Sequence, residues 1–436
     1  IYVDDCLMAS IRVHTVRALC AVIHAIFVVL GFPMESLRQC PLAMNKWRGL
    51  VVGHQAILLG LVFNTRTMTV GTTDEYRAEI LQMLKDNWVG ATHFTISNLV
   101  KLSGKLARLG EGAPWVFHLM THIFASVAYA LRQNGVFLQN ESRSFCKIIN
   151  EIKMLRRLPT VDLDVQHMNF FIRKIAKAKF KCATHYLIPP SLRHEIDLLV
   201  RWLDPSSGIR WYSPIAHLIR RMPYATSAGD ASLRAGGGFC FKLRFWWHIE
   251  WPQKIIQKTK LFLEDDSRGD FISINVLEFI VININMAAAI TALLLDGHDD
   301  DPYPVLLNLC DNISSTRWCN HHCRGSMKAK ALGRLFCGLL VNSFLGINSK
   351  WISTESNVLA DEISRLRKIA TDPVSGDSSY DYSQLQANFP QLRCCCFFHP
   401  SQKLLSLIWH TVLTAQLPDP TEILQLRQDG LGRLTT

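Results

Sequence analysis

The 436-residue chain has few charged residues, no internal repeat and no long low-complexity tract. Asp, Glu, Lys and Arg make up 19% of it, and hydrophobic residues make up 49%. This composition excludes a mostly disordered chain, because a weakly charged, apolar sequence can bury enough surface to fold. The lack of internal sequence repeats excludes a repeat protein. At this length we expect two or three domains, each with its own core.

The sequence also has no long apolar run that is free of polar residues. Its most membrane-like stretch, 276–295, contains Glu278, Asn283 and Asn285. A carboxylate near the start of a membrane-spanning helix is costly. We therefore predict a buried helix of a globular domain here, and no membrane partner.

The thirteen cysteines lack the spacing of a small disulfide framework, and no secretory leader precedes them. This pattern favours a reduced intracellular compartment, without distinguishing cytoplasm from nucleus. One group contains residue types that bind zinc, but it has no second ligand pair at a finger-like distance, so a zinc site is not expected. Its members are Cys310, Cys319, His321, His322 and Cys323.

Positive charge is in excess, with a formal net charge of +11 and a pI near 9.1. A polyanionic partner is the first expectation, although the balance of charge alone also affects solubility. Basic residues are dense in the helical segment 136–221, where they could follow nucleic-acid phosphates. A solvated helix face explains any one of them equally well. The candidates are Arg173, Lys174, Lys177, Lys179 and Lys181.

Four acidic residues stand where a metal-dependent nuclease would need them. Asp230 precedes a glycine-rich strand, Asp311 directly follows the strand-like run 305–310, Glu278 lies early in the apolar helix, and Asp361 is at the opening of a short helix. Two-metal phosphodiester hydrolysis needs several carboxylates at one point, and Mg²⁺ prefers oxygen ligands. Taken singly, Asp230 could instead be a turn former and Asp361 a helix cap.

The segments around these acids resemble the motifs of retroelement ribonuclease H domains, in the same order. They are 227–232 with 236–238, 275–279, 311–312, and 357–365, which is similar to an Asn-x-x-Ala-Asp-x-x-Ser-Arg signature. The resemblance implies a mixed five-stranded sheet with flanking helices, and Mg²⁺ or Mn²⁺ held by the four acids. It also implies hydrolysis of the RNA strand of an RNA–DNA hybrid without a small-molecule cofactor. Asn312 would orient the acid beside it and contact nucleic acid. Some relatives place a His before the last acid to assist product release, and 347–356 contains none.

The start of the chain, Tyr2-Val3-Asp4-Asp5, resembles the catalytic hairpin of reverse transcriptases, in which paired aspartates hold metal ions. Segments 31–33 and 59–68 resemble the segments downstream of that hairpin, and 99–131 is similar to the thumb and connection region. The whole arrangement most resembles DIRS-like and Gypsy-like retrotransposon polyproteins. In that family a further metal-binding Asp and the fingers come before the hairpin. We therefore expect a fragment that has lost DNA synthesis.

The predicted fold is an α/β multidomain chain. It comprises a truncated reverse transcriptase palm at 1–70, thumb and connection helices at 71–135, a basic helical connector at 136–221, a ribonuclease H-like domain at 222–368, and a linker and C-terminal tail at 369–436. Two alternatives stay open. One is a decayed copy that binds nucleic acid without cutting it, favoured by the start of the chain and the unusual segment 41–55. The other is a DNA-directed nuclease or integrase, which would lack the polymerase-like segment.

Overall fold

A computed structural model describes residues 55–58, 60–133, 185–219, 221–264, 271–296, 301–321, 323, 326–366, 368–371, 378–380 and 382–435. These ranges form a mixed α/β protein, which confirms the predicted class. The strands are β1 (Gln55–Leu58), β2 (Leu61–Asn64), β3 (Thr69–Thr72), β4 (His93–Thr95), β5 (His185–Leu187), β6 (Tyr212–Pro214), β7 (Ala225–Ala231), β8 (Ala235–Cys240), β9 (Phe245–Glu250), β10 (Val305–Cys310), β11 (Gly346–Trp351), β12 (Lys368–Thr371), β13 (Ser378–Tyr380), β14 (Cys396–Pro400) and β15 (Gly432–Thr435). The helices are α1 (Asp74–Asn87), α2 (Ile96–Gly112), α3 (Thr121–Gln133), α4 (Pro190–Leu203), α5 (Ile215–Leu218), α6 (Gln253–Glu264), α7 (Ile274–Asp296), α8 (Ile313–Asn320), α9 (Met327–Leu340), α10 (Val358–Ser364), α11 (Ser383–Asn388), α12 (Gln402–Thr414) and α13 (Pro420–Asp429).

A four-stranded sheet with the order β1-β2-β3-β6 begins the described part of the chain. Strands β2 and β3 form an antiparallel hairpin. The apolar run before it is divided into β1 and β2 at Gly60, whose φ of +73° lies in the left-handed region that glycine adopts at no steric cost. The result is a three-stranded meander to which β6 adds a fourth strand.

Helices α1 to α4 share one apolar core beside this sheet. The Thr73 and Thr95 side chains cap α1 and α2 by accepting hydrogen bonds from backbone N–H groups. Leu99, Leu106 and Ile196 are buried in the common core. The described end of the predicted connector shares this core with α1 to α3. Helix α4 packs on α1 and α3, and β6 pairs with β3.

The second sheet has seven strands in the order β11-β10-β7-β8-β9-β14-β15. The first five equal in number the strands that the resemblance implies. The other two come from the segment that we assigned to a linker and tail, so the five-stranded prediction was too small. The physical reason is the edge of β9, whose backbone groups would otherwise lack partners within a sheet. Cys396 and Phe397 of β14 pair in parallel with β9 and cover that edge.

Helix α7 lies against this sheet and is apolar on all sides. Residues Ile274–Leu295 would be long and apolar enough to cross a membrane, but the most apolar window is entirely buried in the protein. Contacts with β7 and β8 on one side and with α8 and α9 on the other explain why no polar face is needed. The predicted buried helix is confirmed.

The glycines of β8 allow helices to approach both faces of the sheet. An added Cβ at Gly238 would lie 2.3 Å from Asn285 Oδ1 of α7, and one at Gly237 would lie 2.4 Å from Ile363 Cγ2 of α10. Successive residues of a strand face opposite sides. The sequence Gly236-Gly237-Gly238 therefore sets how close α7 and α10 come to the sheet.

Substituting Gly238 by Ala is expected to destabilise the protein by about 1–3 kcal/mol, because the added methyl group overlaps atoms of a packed helix. Gly104→Ala is the matched control. Gly104 is exposed in α2 and an added Cβ there meets no atom within 4 Å, so this change should stabilise by up to about 1 kcal/mol. Urea denaturation of both variants measures the difference, and equal stabilities would contradict the close packing.

Candidate active site

Asp230 and Asp311 lie side by side at one end of the seven-stranded sheet. Strands β7 and β10 are parallel neighbours in which Ala228 pairs with Leu309. Asp230 and Asp311 are each two residues further along, so both reach the carboxyl end of their strands. Asp230 sits inside β7 opposite Gly237. It is therefore not a turn former, which removes that alternative interpretation.

Glu278, in the first turns of α7, brings a third carboxylate to the same end. Its Oε1 accepts a hydrogen bond from the backbone N–H of Ala231 at 3.1 Å. Its Oε2 lies 3.7 Å from Cys310 Sγ. One ligand atom each of Glu278, Cys310 and Asp311 lies within 4.8 Å of the others. The first turns of α7 therefore place an acid over the ends of β7 and β10.

Asp361 comes from α10 on the opposite face of the sheet. Asn357, at the residue before the helix, donates from Nδ2 to the Gly229 carbonyl at 3.1 Å and holds α10 against β7. Asp361 Oδ1 forms an ion pair with Arg365 Nη2 at 2.6 Å. The acid lies in the first turn of the helix and does not cap it.

Negative charges of neighbouring acids act on the two most buried carboxylates. The pKa of Asp230 is raised to about 6, mainly by burial and also by the negative charges of Asp311 and Asp361, while the hydrogen bond from Ser364 and the charge of Arg365 oppose the change. Burial and the charges of Asp230 and Asp311 also raise the pKa of Glu278 well above its usual value. Without a cation the site therefore disfavours the ionised forms of its two most buried acids.

Neighbouring hydroxyl groups fix two of the carboxylates. Ser364 Oγ donates to Asp230 Oδ2 at 2.7 Å, and Thr354 Oγ1 donates to Asp311 Oδ2 at 2.9 Å. Trp351 Nε1 also donates to the Asp311 backbone carbonyl at 2.8 Å. These bonds restrict the direction of each carboxylate, as the outer partners of metal ligands do.

A buried polar network under the cluster connects α7 to the sheet. Asn285 Nδ2 donates to Asn308 Oδ1 at 2.8 Å, Ser227 Oγ donates to the same oxygen at 3.1 Å, and Trp247 Nε1 donates to Asn285 Oδ1 at 2.8 Å. These contacts explain a polar residue in an apolar helix, since a buried amide without partners would be costly. They also fix the register of α7, and therefore of Glu278, relative to β7 and β10.

Asn312 follows Asp311 but its side chain caps α8. Its Oδ1 accepts from the Ser315 backbone N–H at 3.0 Å, and its Nδ2 donates to Asn275 Oδ1 at 2.7 Å. The amide thus ties the start of α8 to the start of α7. These bonds fit the expected role in holding Asp311, and contact with nucleic acid stays a prediction.

The remaining predicted site residues lie outside the described residues. They are Asp4, Asp5, Arg173, Lys174, Lys177, Lys179 and Lys181.

Sequence reasoning gave no role to three side chains of the cluster. Ser364 stands in the Asn-x-x-Ala-Asp-x-x-Ser-Arg segment, which was the available signal for it. Thr354 has no motif of its own. Cys310 was considered only with the cysteines after it, whereas its partner is Glu278, 32 positions away in sequence.

The donor set fits a hard divalent cation. Four acids from separate segments lie at one end of the sheet, and carboxylate oxygens are the ligands that Mg²⁺ and Mn²⁺ prefer. The two most buried acids have raised pKa values. A bound cation would favour their ionised forms, which agrees with such a group at this position.

No protein-family model matches the sequence, and no curated protein matches it. Among solved structures, a similarity is found to the foamy viral protease-reverse transcriptase in complex with an RNA/DNA hybrid, with 10% identity and a TM-score of 0.21. The alignment covers 78% of this chain and 36% of that one. A TM-score this low carries no argument about the fold.

Proposed function

We propose that the chain is a ribonuclease H-type endonuclease that cuts the RNA strand of RNA–DNA hybrids with two Mg²⁺ or Mn²⁺ ions. The supporting observation is the convergence of Asp230, Glu278, Asp311 and Asp361 from β7, α7, β10 and α10. Acids that are up to 131 positions apart in sequence (230 to 361), two of them buried, would have little structural reason to place their like charges together. Two-metal hydrolysis supplies that reason.

The chain's own residues would hold and orient the reaction. The four carboxylates bind the cations, and Ser364 and Thr354 fix the carboxylate directions. When bound, the two ions would activate the attacking water and neutralise charge on the leaving oxygen. The Asn312 side chain caps α8 and bonds to Asn275 at the start of α7. These two bonds hold the adjacent Asp311 close to α7.

The origin and the remaining partners belong to the same proposal. We infer a retrotransposon polyprotein as the source, from the order of the motifs. Asp4 and Asp5 would correspond to the paired aspartates of its polymerase site, and Arg173, Lys174, Lys177, Lys179 and Lys181 would bind phosphates. The net charge of +11 supports a polyanionic partner.

The proposed activity is tested with a labelled RNA annealed to DNA. The purified chain should cut that RNA in Mg²⁺ or Mn²⁺ and not in EDTA, and should leave the same RNA uncut when it is single-stranded. A DNA duplex of the same sequence is the third substrate. Cleavage of the DNA duplex in preference to the hybrid would favour the integrase-like alternative.

A catalytically inactive nucleic-acid-binding relic is the second candidate. The ion pair between Arg365 and Asp361 favours it, because the pair partly neutralises one acid without a metal ion. A hybrid complex that weakens with salt, without any cleavage in either metal, would support this candidate.

The hydroxyl of Ser364 gives a separate prediction for metal affinity. Ser364→Ala removes the hydrogen bond to Asp230 Oδ2. It should raise the Mg²⁺ concentration for half-maximal cleavage by about 10–100-fold, as the loss of outer metal partners does. The control is Ser356→Ala, because the exposed Ser356 hydroxyl forms its hydrogen bond with Ser353 Oγ, which is not part of the cluster. Equal Mg²⁺ dependence of the two variants would exclude the positioning role.

A further inference from the structure

One member of the cluster does not suit a hard cation. Cys310 ends β10, directly before Asp311, and is only 1% exposed. Its Sγ lies 3.7 Å from Glu278 Oε2 and accepts a hydrogen bond from the Asn312 N–H at 3.4 Å. The thiol is therefore held between Glu278 and the backbone of Asn312, at the end of a buried strand.

The set formed by Glu278, Cys310 and Asp311 combines two carboxylates with one sulfur. Their ligand atoms lie within 4.8 Å of one another, a separation that a single ion bound to all three would span with small side-chain movements. Carboxylates accept Mg²⁺ and Zn²⁺ alike, but sulfur strongly favours the softer ions of the zinc group. The additional donor should therefore change which metal ion this part of the cluster prefers.

We propose that Cys310, with Glu278 and Asp311, forms a site for a thiophilic divalent cation of the zinc group, which excludes Mg²⁺ from the same carboxylates. On binding, the S–H bond breaks, a sulfur–metal bond forms and the proton passes to solvent. The ion itself is the only co-reactant. Binding of the ion does not depend on nuclease activity, whereas inhibition by the ion rests on the proposed function.

Neighbouring cysteines do not compete for this position. Cys319 and Cys323, which share the local sequence, are buried in the core around α8 and α9. Among the described residues, Glu278, Cys310 and Asp311 are the one group of three or more His, Cys, Asp or Glu side chains whose ligand atoms lie close enough to share a metal ion. Cys337 is also a fully buried thiol, but it lies in the core shared with α1 to α4. It supplies a matched control.

The test titrates Cd²⁺, a spectroscopic substitute for Zn²⁺, into the full chain and follows the ultraviolet sulfur-to-cadmium charge-transfer band. The variants are Cys310→Ala, Cys310→Ser and Cys337→Ala, each checked for an unchanged melting temperature relative to the others. The proposal expects a saturable band in the wild type and in Cys337→Ala that both Cys310 variants lack. Identical titrations of all four proteins would overturn it.

Cleavage assays then separate this site from the proposed function. With Mg²⁺ present, Zn²⁺ should inhibit the wild type, and Cys310→Ser should raise the inhibitory concentration at least about tenfold, the lower end of what losing even an outer metal partner costs. Mg²⁺-supported cleavage with unchanged Zn²⁺ inhibition in Cys310→Ser would overturn the cysteine site and leave the nuclease standing. A Cys310-dependent Cd²⁺ band in a protein that never cuts RNA would support the site and refute the nuclease.

Discussion

Replacing Asp311 by Asn is expected to lower the rate of RNA cleavage in a hybrid by about 10³-fold, because a metal ion supplies several kcal/mol of transition-state stabilisation. Asn has the same shape and can still accept the hydrogen bond from Thr354, which Asp311 accepts at 2.9 Å. The loss would therefore reflect the missing negative charge. Single-turnover cleavage of a labelled hybrid measures it.

The control for this substitution is Glu355→Gln. Glu355 is exposed and lies next to Thr354 in the chain, so the change removes an acid close to the site without touching the cluster. Its cleavage rate should equal that of the wild type. A similar loss in both variants would mean that general charge, and not the position of Asp311, controls activity.

Asp230→Asn is expected to stabilise the metal-free protein by up to about 3 kcal/mol at pH 7. The pKa of this acid is raised from 3.8 to about 6 by burial and by neighbouring acids, so the folded protein binds its proton more tightly than the unfolded chain does. The free energy of unfolding of the wild type therefore falls as the pH rises from about 4 to about 6. Above pH 6 the full destabilisation by ionised Asp230 remains. Below about pH 4 Asp230 is protonated in both states, so this destabilisation is absent.

The measurement is the free energy of unfolding in EDTA for both proteins between pH 4 and pH 8. The advantage of Asp230→Asn should grow through the window and stay constant at higher pH. Glu278 carries a raised pKa for similar reasons, so Glu278→Gln should shift stability in the same direction. At pH 7, added Mn²⁺ should make the wild type more stable than Asp230→Asn, because Mn²⁺ binds the folded wild type more tightly than this variant. A wild type that is the more stable protein in EDTA at every pH would contradict the proposed repulsion.

The four acids could be found in the sequence because each stands at a recognisable boundary. Asp311 directly follows an apolar strand, and Glu278 interrupts an apolar helix with no local partner. The order of the surrounding motifs then indicated one site. The structure adds the register of β7 and β10, which follows from long-range pairing and which no local pattern encodes.

Other features depended on contacts that local sequence does not contain. Strand β14 is a short segment whose place is decided by the open edge of β9, more than 140 residues earlier in the chain (250 to 396). Thr354 and Cys310 acquire their roles only when α7 and β11 assemble around the ends of β7 and β10. Helix α4 falls in a segment rich in basic residues, and the partners of its apolar face, α1 and α3, lie far from it in sequence.

The central claim is that the carboxylates of Asp230, Glu278, Asp311 and Asp361 together bind a pair of divalent cations. A crystal of the metal-free chain soaked in Mn²⁺ and measured at the manganese absorption edge tests this most directly. The account predicts two anomalous peaks among these four side chains, and their loss in Asp311→Asn. A saturating soak with no peak at this end of the sheet would contradict it.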